Sequence, residues 1–206
     1  MTDWDERFRT GQYPTDPEPA ALLERYVDAL EPGRALDVAA GTGRNAVFLA
    51  ERGYDVDAID RSREGLRITR RRARDRGVAD RLDCVQADVP SYAFPVERYD
   101  LVTISFYRAV DRLPDVMDAL APGGILFYEH HLRSPGPYEV GPRTDRHRFG
   151  ANELLHASLD LTVLAFEATT ETGTDGRTAT RTRIVARNSA GRAQTYPPVG
   201  IDDRGT

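Results

Sequence analysis

The sequence predicts an α/β protein built as a three-layer sandwich, and three observations support this fold class. Apolar runs of strand length alternate five times with segments of helical periodicity, as in chains that form a parallel sheet. The last two runs alternate in polarity around "TGTDGR", which is typical of an antiparallel hairpin. The chain has 206 residues, a length that suits one domain with a sizeable core, so we expect a single domain over 1–206.

The first half of the chain provides the first three strands. Residues 1–20 lack clear periodicity, whereas residues 21–31 place apolar side chains on one helical face before Pro32 and Gly33 end the helix. Short apolar runs that end at glycine turns or carboxylates are typical of buried parallel strands. The elements predicted next are a strand over 34–40, a helix over 44–53, a strand over 55–60, a helix over 63–77 and a strand over 81–88.

The second half completes the parallel strands and then changes pattern. The run "YDLVTISFY" is nearly continuous in apolar residues, as expected for a central strand. Residues 189–206 follow the last strand and are expected to form a flexible tail. The elements predicted before that tail are a strand over 99–107, a helix with a Pro-Gly-Gly end over 113–124, a strand over 125–131, a polar loop over 133–150, a helix over 151–159 and a hairpin over 159–188.

Composition excludes several classes of function. The net charge of −5 argues against general nucleic-acid binding. The arginines of the predicted helix over 63–77 are interpreted as a solvent-exposed helix face. All 28 basic residues are Arg, which excludes a Schiff-base or P-loop lysine and is compatible with a GC-rich genome or with high salt. The single cysteine, Cys84, excludes a disulfide framework and a cysteine-based zinc site. Neither a signal-peptide core nor a membrane-length apolar run is found, so a cytoplasmic protein without a membrane partner is expected.

A glycine turn between the first predicted strand and its helix indicates a nucleotide-like ligand. Gly41, Gly43 and Ala46 give a G-x-G-x-x-A spacing, and small residues there let the backbone approach a ligand closely. Asp60 follows at the end of the second strand, where a carboxylate can accept both ribose hydroxyls. The missing G-K-[ST] sequence excludes a triphosphate site of the P-loop type.

Two further carboxylates favour S-adenosylmethionine over a dinucleotide. Asp37 lies inside the first strand, where it would repel a pyrophosphate but attract an ammonium or a sulfonium. Asp88 ends the third strand and can accept from the exocyclic amine of an adenine. The antiparallel hairpin at the end of the sheet is also unlike a paired dinucleotide domain.

The chain resembles the class I S-adenosylmethionine-dependent methyltransferases, and most closely their small tellurite-resistance-type branch. The resemblance rests on "ALDVAAGTGRNAVFLAERGYDVDAIDRS", "ADV", "YDLVTISFYR", "LAPGGILFYEHH" and "ANELL", and covers roughly residues 4–187. It implies a Rossmann-like, seven-stranded sheet of order 3-2-1-4-5-7-6 with strand 7 antiparallel. The chain departs from the family at Ala39, where the pattern usually has a glycine; alanine is small enough that we expect cofactor binding to survive.

The same resemblance implies a cofactor site for S-adenosylmethionine. Residues 1–20 would act as an N-terminal lid segment over it. The implied site residues are Asp37, Ala39, Gly41 and Gly43 around the methionine moiety, Arg44 and Asn45 at the start of the helix, Asp60 at the ribose, Arg61, Asp88 and Val89 at the adenine, Ser105 and Phe106 beneath the sulfonium, and Arg7 and Tyr13 in the lid.

The methyl acceptor is expected to be a small molecule, because the chain shows no extra domain or basic groove for a macromolecule. Candidate acceptor-site residues follow the fifth strand, at the edge where open α/β sheets bind ligands: His130, His131, Arg146 and His147. Their spacing matches no standard metal-ligand set, so no metal is expected. The residues do not decide between a monomer and a homodimer. An NADP-linked reductase and a non-catalytic cofactor-binding protein stay open as alternatives.

Overall fold

The structure is a computed structural model that describes residues 4–135, 137–173 and 175–189. Seven strands form one sheet in the order β3-β2-β1-β4-β5-β7-β6, in which β7 pairs antiparallel with both β5 and β6. Its strands are β1 Arg34–Val38, β2 Asp55–Asp60, β3 Leu82–Gln86, β4 Tyr99–Ser105, β5 Leu120–His131, β6 Thr162–Thr172 and β7 Thr178–Arg187. The predicted α/β class, strand order and antiparallel strand are confirmed.

The described residues include six α-helices, of which α1 and α2 precede β1 and the other four lie between strands. They are α1 Trp4–Arg9, α2 Ala21–Tyr26, α3 Arg44–Glu51, α4 Arg63–Asp75, α5 Leu113–Asp118 and α6 Glu153–Ala157. One apolar cluster joins α2, α3 and α4 to the sheet through residues such as Leu23, Leu49 and Phe127. A second cluster joins α5 and α6 to the opposite face through Val116 and Leu154. No helix in the described ranges has both the length and the apolarity to cross a membrane.

The boundary between α5 and β5 differs from the prediction. The helix ends at Asp118 rather than continuing to Gly124, and β5 begins at Leu120, which pairs with Tyr99 of β4. A Cβ atom on Gly124 would lie 2.7 Å from the carbonyl oxygen of Tyr99, so this glycine lets two backbones approach closely. Strand pairing therefore extends through the Pro-Gly-Gly segment, and the register between β4 and β5 shifts there.

Residues 1–20 show no clear periodicity, yet the structure places a short helix, α1, over Trp4–Arg9. Its Asp5 carboxylate accepts hydrogen bonds from the backbone N–H of Glu64 at 2.9 Å and from the Ser62 hydroxyl, at the start of α4. Six residues are too few for a stable isolated helix. Tertiary contacts therefore hold α1, and those contacts are invisible to local periodicity.

The arginine-rich helix α4 is only in part the solvated face that the sequence predicts. Arg67, Arg70, Arg71 and Arg74 are exposed. Arg72 is buried, donates to the Thr42 carbonyl oxygen at 2.8 Å and pairs with Asp16 at 2.6 Å. This one arginine connects the N-terminal segment to the glycine turn.

Candidate cofactor and acceptor site

The turn after β1 has the backbone conformation that its glycines allow. Gly41 has φ +58°, and its N–H donates to Asp60 Oδ2 at 2.8 Å, while the other oxygen of Asp60 accepts from Ser62 N at 2.7 Å. Burial raises the pKa of Asp60, although both N–H groups oppose this shift. Each carboxylate oxygen keeps a further lone pair with which to accept a ribose hydroxyl.

Ala39, the position where the family pattern has glycine, adopts the same left-handed conformation with φ +57°. A non-glycine residue there costs roughly 1–2 kcal/mol. The alanine methyl group is accommodated, so the departure from the family leaves the turn in place at the expense of some backbone strain.

Gly43 has a packing role that the sequence did not reveal. It precedes α3 with φ +77°, and a Cβ atom there would lie 2.5 Å from the Thr69 side chain of α4. The Thr69 hydroxyl in turn donates to the Gly41 carbonyl oxygen at 3.1 Å. The second glycine of the turn thus lets α4 approach, whether or not a ligand is bound.

Asp37 is a buried carboxylate, 2% exposed, close to the glycine turn. Its Oδ2 accepts a hydrogen bond from Ala46 N in the first turn of α3 at 3.0 Å. Burial raises the pKa of Asp37 to about 7, opposed by this hydrogen bond and by the Arg44 guanidinium. A cationic group brought beside it would stabilise the ionised form.

Asn45 and Ser105 begin a polar chain that runs from α3 across the ends of β4 and β5. Asn45 accepts from Ala20 N at 3.0 Å and donates to Ser105 Oγ at 3.0 Å, and Ser105 donates to the buried Glu129 at 3.1 Å. Asn45 is 1% exposed, so its hydrogen bonds join Ala20 and Ser105 to the start of α3 inside the protein. Arg44 lies beside this chain, 3.5 Å from Glu129.

Asp88 and Val89, two of the three residues predicted at the adenine, lie beyond β3, whereas Arg61 follows β2. Strand β3 ends at Gln86, two residues before the predicted end, and Asp88 is exposed while Val89 is 3% exposed in the second apolar cluster. The Gln86 side chain donates to the carbonyl oxygen of Arg61 at 3.2 Å. Asp60, Arg61 and Asp88 therefore follow neighbouring strands at the same edge of the sheet.

The predicted lid residues belong to an aromatic group against the glycine turn. The rings of Trp4, Phe8 and Tyr13 lie 5.5–5.8 Å apart, and Arg7 lies over the Trp4 ring with its Cζ 5.3 Å from the centroid. A Cβ atom on Gly41 would lie 3.4 Å from Phe8. The N-terminal segment thus contacts the turn directly, and the link from Arg7 to Tyr13 is a long hydrogen bond of 3.4 Å.

The four candidate acceptor residues do not converge on one point. His130 and His131 are consecutive in β5 and their ring centroids lie 5.8 Å apart, but they pack on different aromatic rings: His130 on Phe149 and His131 on Phe106. Arg146 donates to His147 at 3.0 Å within an exposed turn, and the structure describes no contact from this pair to either β5 histidine. Burial lowers the pKa of His130 to about 4 and that of His131 to about 3.

The sequence reasoning missed two arginines of β7 that lie beside Glu129 and His131. Register pairs Arg181 with His131 and Arg183 with Glu129. The alternation in "TRTRIVAR", with arginines two residues apart in a strand that is otherwise buried, is the signal that would have identified them. In the described residues, no group of three or more His, Cys, Asp or Glu side chains is arranged to hold a metal ion.

Part of the chain is similar in sequence to known methyltransferases. Residues 35–124 match the family model for a methyltransferase domain. The demethylmenaquinone methyltransferase of Renibacterium salmoninarum is 36% identical over 110 residues, covering 51% of this chain and 44% of that protein. The Thermus thermophilus enzyme of the same name is 40% identical over 112 residues, covering 50% of each chain. The chain therefore spans about half or less of the length of these curated relatives.

Solved structures show the same fold at low sequence identity. TehB from Haemophilus influenzae has a TM-score of 0.72 and 16% identity, covering 90% of this chain and 67% of that chain. Geranyl diphosphate C-methyltransferase from Streptomyces coelicolor A3(2) has a TM-score of 0.64 and 18% identity, covering 82% and 80%. The likeness to these two enzymes is one of fold.

Proposed function

We propose that the chain is a class I S-adenosylmethionine-dependent methyltransferase acting on a small molecule, and the match of residues 35–124 to the family model for a methyltransferase domain, together with the fold, supports this. One observation supports this most strongly. The glycine turn is joined by a hydrogen bond to Asp60 and lies beside Asp37, so two buried carboxylates flank one loop. A cofactor with a cationic amino acid moiety and a ribose suits this pair.

The chain's own residues would bind and orient the cofactor. Asp37 would pair with the ammonium group, Asp60 would accept from the ribose, and Asp88 would accept from the adenine amine. When bound, S-adenosylmethionine supplies an electrophilic methyl group on a sulfonium. The protein's contribution to the rate is then alignment and exclusion of water rather than covalent catalysis. The aromatic group of Trp4, Phe8 and Tyr13 would exclude water as a lid.

The acceptor would lie on the β5 side of the cofactor, near His131. The family match ends at Gly124, before every candidate acceptor residue, so the relatives' own acceptors do not transfer to this chain. The likeness to TehB supports assignment to the tellurite-resistance-type branch, which remains part of the proposal.

Calorimetric titration with S-adenosylhomocysteine and with NADPH tests the cofactor. We expect the first to bind and the second not to bind. Asp60→Ala should weaken binding by about 1.5–3 kcal/mol, which is the range for hydrogen bonds to a charged group.

The matched control for this titration is Asp83→Ala, which removes an exposed carboxylate from the neighbouring strand β3 and should leave the affinity unchanged. Thermal melts of both variants establish that they fold. Binding of NADPH alone would contradict the proposal and favour the reductase. Cofactor binding without turnover on any acceptor would favour a non-catalytic binding protein.

A further inference from the structure

Buried polar atoms without hydrogen-bond partners gather beside α3, where β4 and β5 end and β7 begins. The described residues contain six such atoms, and four of them lie here: Arg44 Nε, His131 Nδ1, Arg181 Nε and Arg183 Nε. His131 is 6% exposed. Arg183 Nε lies 3.5 Å from Glu129 Oε2 in a long ion pair. Buried polar groups are almost always hydrogen-bonded, so the other three exceptions in one place indicate a missing partner.

Phe106, immediately after β4, holds a strained conformation in the middle of this group. Its φ is +58°, which is rare for a bulky side chain and is typical of functional sites. The conformation places its half-buried ring 4.9 Å from the His131 ring. The guanidinium carbons of Arg44 and Arg181 each lie 5.4 Å from the ring centroid. The result is an apolar floor with two guanidiniums over it.

The two guanidiniums beside Phe106 are held by charge but are not saturated with hydrogen bonds. Arg44 lies 3.5 Å from Glu129, and Arg181 lies 3.4 Å from Glu171, beyond the usual N–H···O range. Neither donates a hydrogen bond to any residue that the structure describes. Arg183 differs, because it donates to both oxygens of Glu171 and so holds that carboxylate in place. Arg44 and Arg181 are thus oriented with free donors.

We propose that Arg181, Arg44, His131 and Phe106 form the methyl-acceptor pocket, and that the acceptor is a small organic acid whose carboxylate the guanidiniums bind. The assignment to an acceptor rests on the proposed function. A carboxylate matches the planar donor fork of a guanidinium. The Phe106 ring, whose face is electronegative, repels an anion but packs against an apolar body. This combination selects an organic acid over a fully hydrated inorganic oxyanion.

Titration of the ¹⁵N-labelled protein with benzoate, followed by amide chemical shifts, tests the pocket in the presence and in the absence of S-adenosylhomocysteine. Benzamide is the neutral analogue, and selenite is the inorganic oxyanion. We expect benzoate to shift resonances around Phe106, His131 and Arg181, and to bind more tightly than benzamide or selenite. Arg181→Met should weaken benzoate binding at least tenfold. The matched control, Arg187→Met, alters the same face of β7 about 20 Å away and should have no effect.

A second variant tests the pocket independently, in case Arg181→Met does not fold. Phe106→Gly keeps the left-handed backbone without strain and removes the floor, so benzoate affinity should fall several-fold while the fold is retained. Equal benzoate affinity in wild type and Arg181→Met, absent benzoate binding, or tighter binding of selenite would each overturn the proposal. If S-adenosylhomocysteine does not bind but benzoate binding still depends on Arg181, the anion pocket stands and the methyltransferase proposal fails.

Discussion

Asp37 shows how one buried side chain can couple ligand binding to pH. It is enclosed in the sheet and keeps a single hydrogen bond, from Ala46 N. Burial is the largest cause that raises its pKa to about 7. The protonated form therefore prevails below neutral pH, and the form that attracts an ammonium prevails above it.

The affinity for S-adenosylhomocysteine should consequently increase with pH. Binding of the ammonium requires ionised Asp37, so the dissociation constant should be about tenfold larger at pH 6 than at pH 8, given a pKa near 7 in the free protein. Calorimetry at both pH values measures this ratio. Asp37→Asn should bind more weakly at pH 8 and lose the dependence. A flat wild-type profile would show that Asp37 does not contact the ammonium.

At the residue scale, the sequence predicted which residues gather around the glycine turn but not which residues gather beside His131. Asp37, Gly41 and Asp60 could be found because they follow apolar strands at fixed spacing. Arg181 could not, because its partner His131 is 50 positions earlier in the chain and only the antiparallel register brings them together. The sequence also could not predict that Arg146 and His147 are exposed, because a loop has no periodic pattern of apolar residues.

At the scale of elements, the N-terminal helix α1 is held by a few contacts to α4. Asp5 accepts from the first turn of α4, and these hydrogen bonds lower the pKa of its carboxyl. The ring of Phe8 then rests against Gly41. The segment that would cover the cofactor is thus joined to α4 by a capping carboxylate and to the glycine turn by an aromatic contact.

Asp5→Ala should release α1 with little effect on the rest of the fold. Loss of a capping carboxylate costs about 0.5–2 kcal/mol. Hydrogen exchange should accelerate in Trp4–Arg9, and the affinity for S-adenosylhomocysteine should fall several-fold. Asp28→Ala removes a comparable surface carboxylate that pairs with Arg52 and serves as the control. Unchanged exchange in α1 would show that its aromatic contacts suffice.

Element boundaries were predicted well where the glycines and carboxylates that mark the end of an element agree with the tertiary pairing. Strand β2 over Asp55–Asp60 matches its prediction because Gly53 and the terminal carboxylate mark both ends. The end of α5 does not match, because the glycines after Pro122 serve close strand pairing rather than helix termination. The same residue types support both outcomes, so local sequence alone cannot decide between them.

At the scale of the whole molecule, two histidines are buried at the end of β5. Burial lowers the pKa of His130 to about 4 and of His131 to about 3, whereas both would titrate near 6.5 in the unfolded chain. The unfolded state therefore binds more protons below pH 6.5, and stability is lost as the pH falls from there through the folded pKa values.

Denaturant unfolding of wild type and His130→Gln at pH 7 and pH 4.5 measures this loss. The free energy of unfolding of wild type should fall by about 2–3 kcal/mol more than that of the variant between the two pH values. His156→Gln, which changes an exposed histidine of α6, should track wild type. Parallel curves for wild type and His130→Gln would mean that His130 is protonated in the folded protein.

The position of β7 between β5 and β6 has a consequence for the order in which the chain is synthesised. All five parallel strands, with the glycine turn and its carboxylates, are complete once His131 has left the ribosome. Until β7 arrives, the long strand β5 presents an unpaired edge, which is a template for aggregation. About 50 more residues must be synthesised before β7 can pair with the edge of β5. A fragment ending at His131 should therefore not persist as a folded unit.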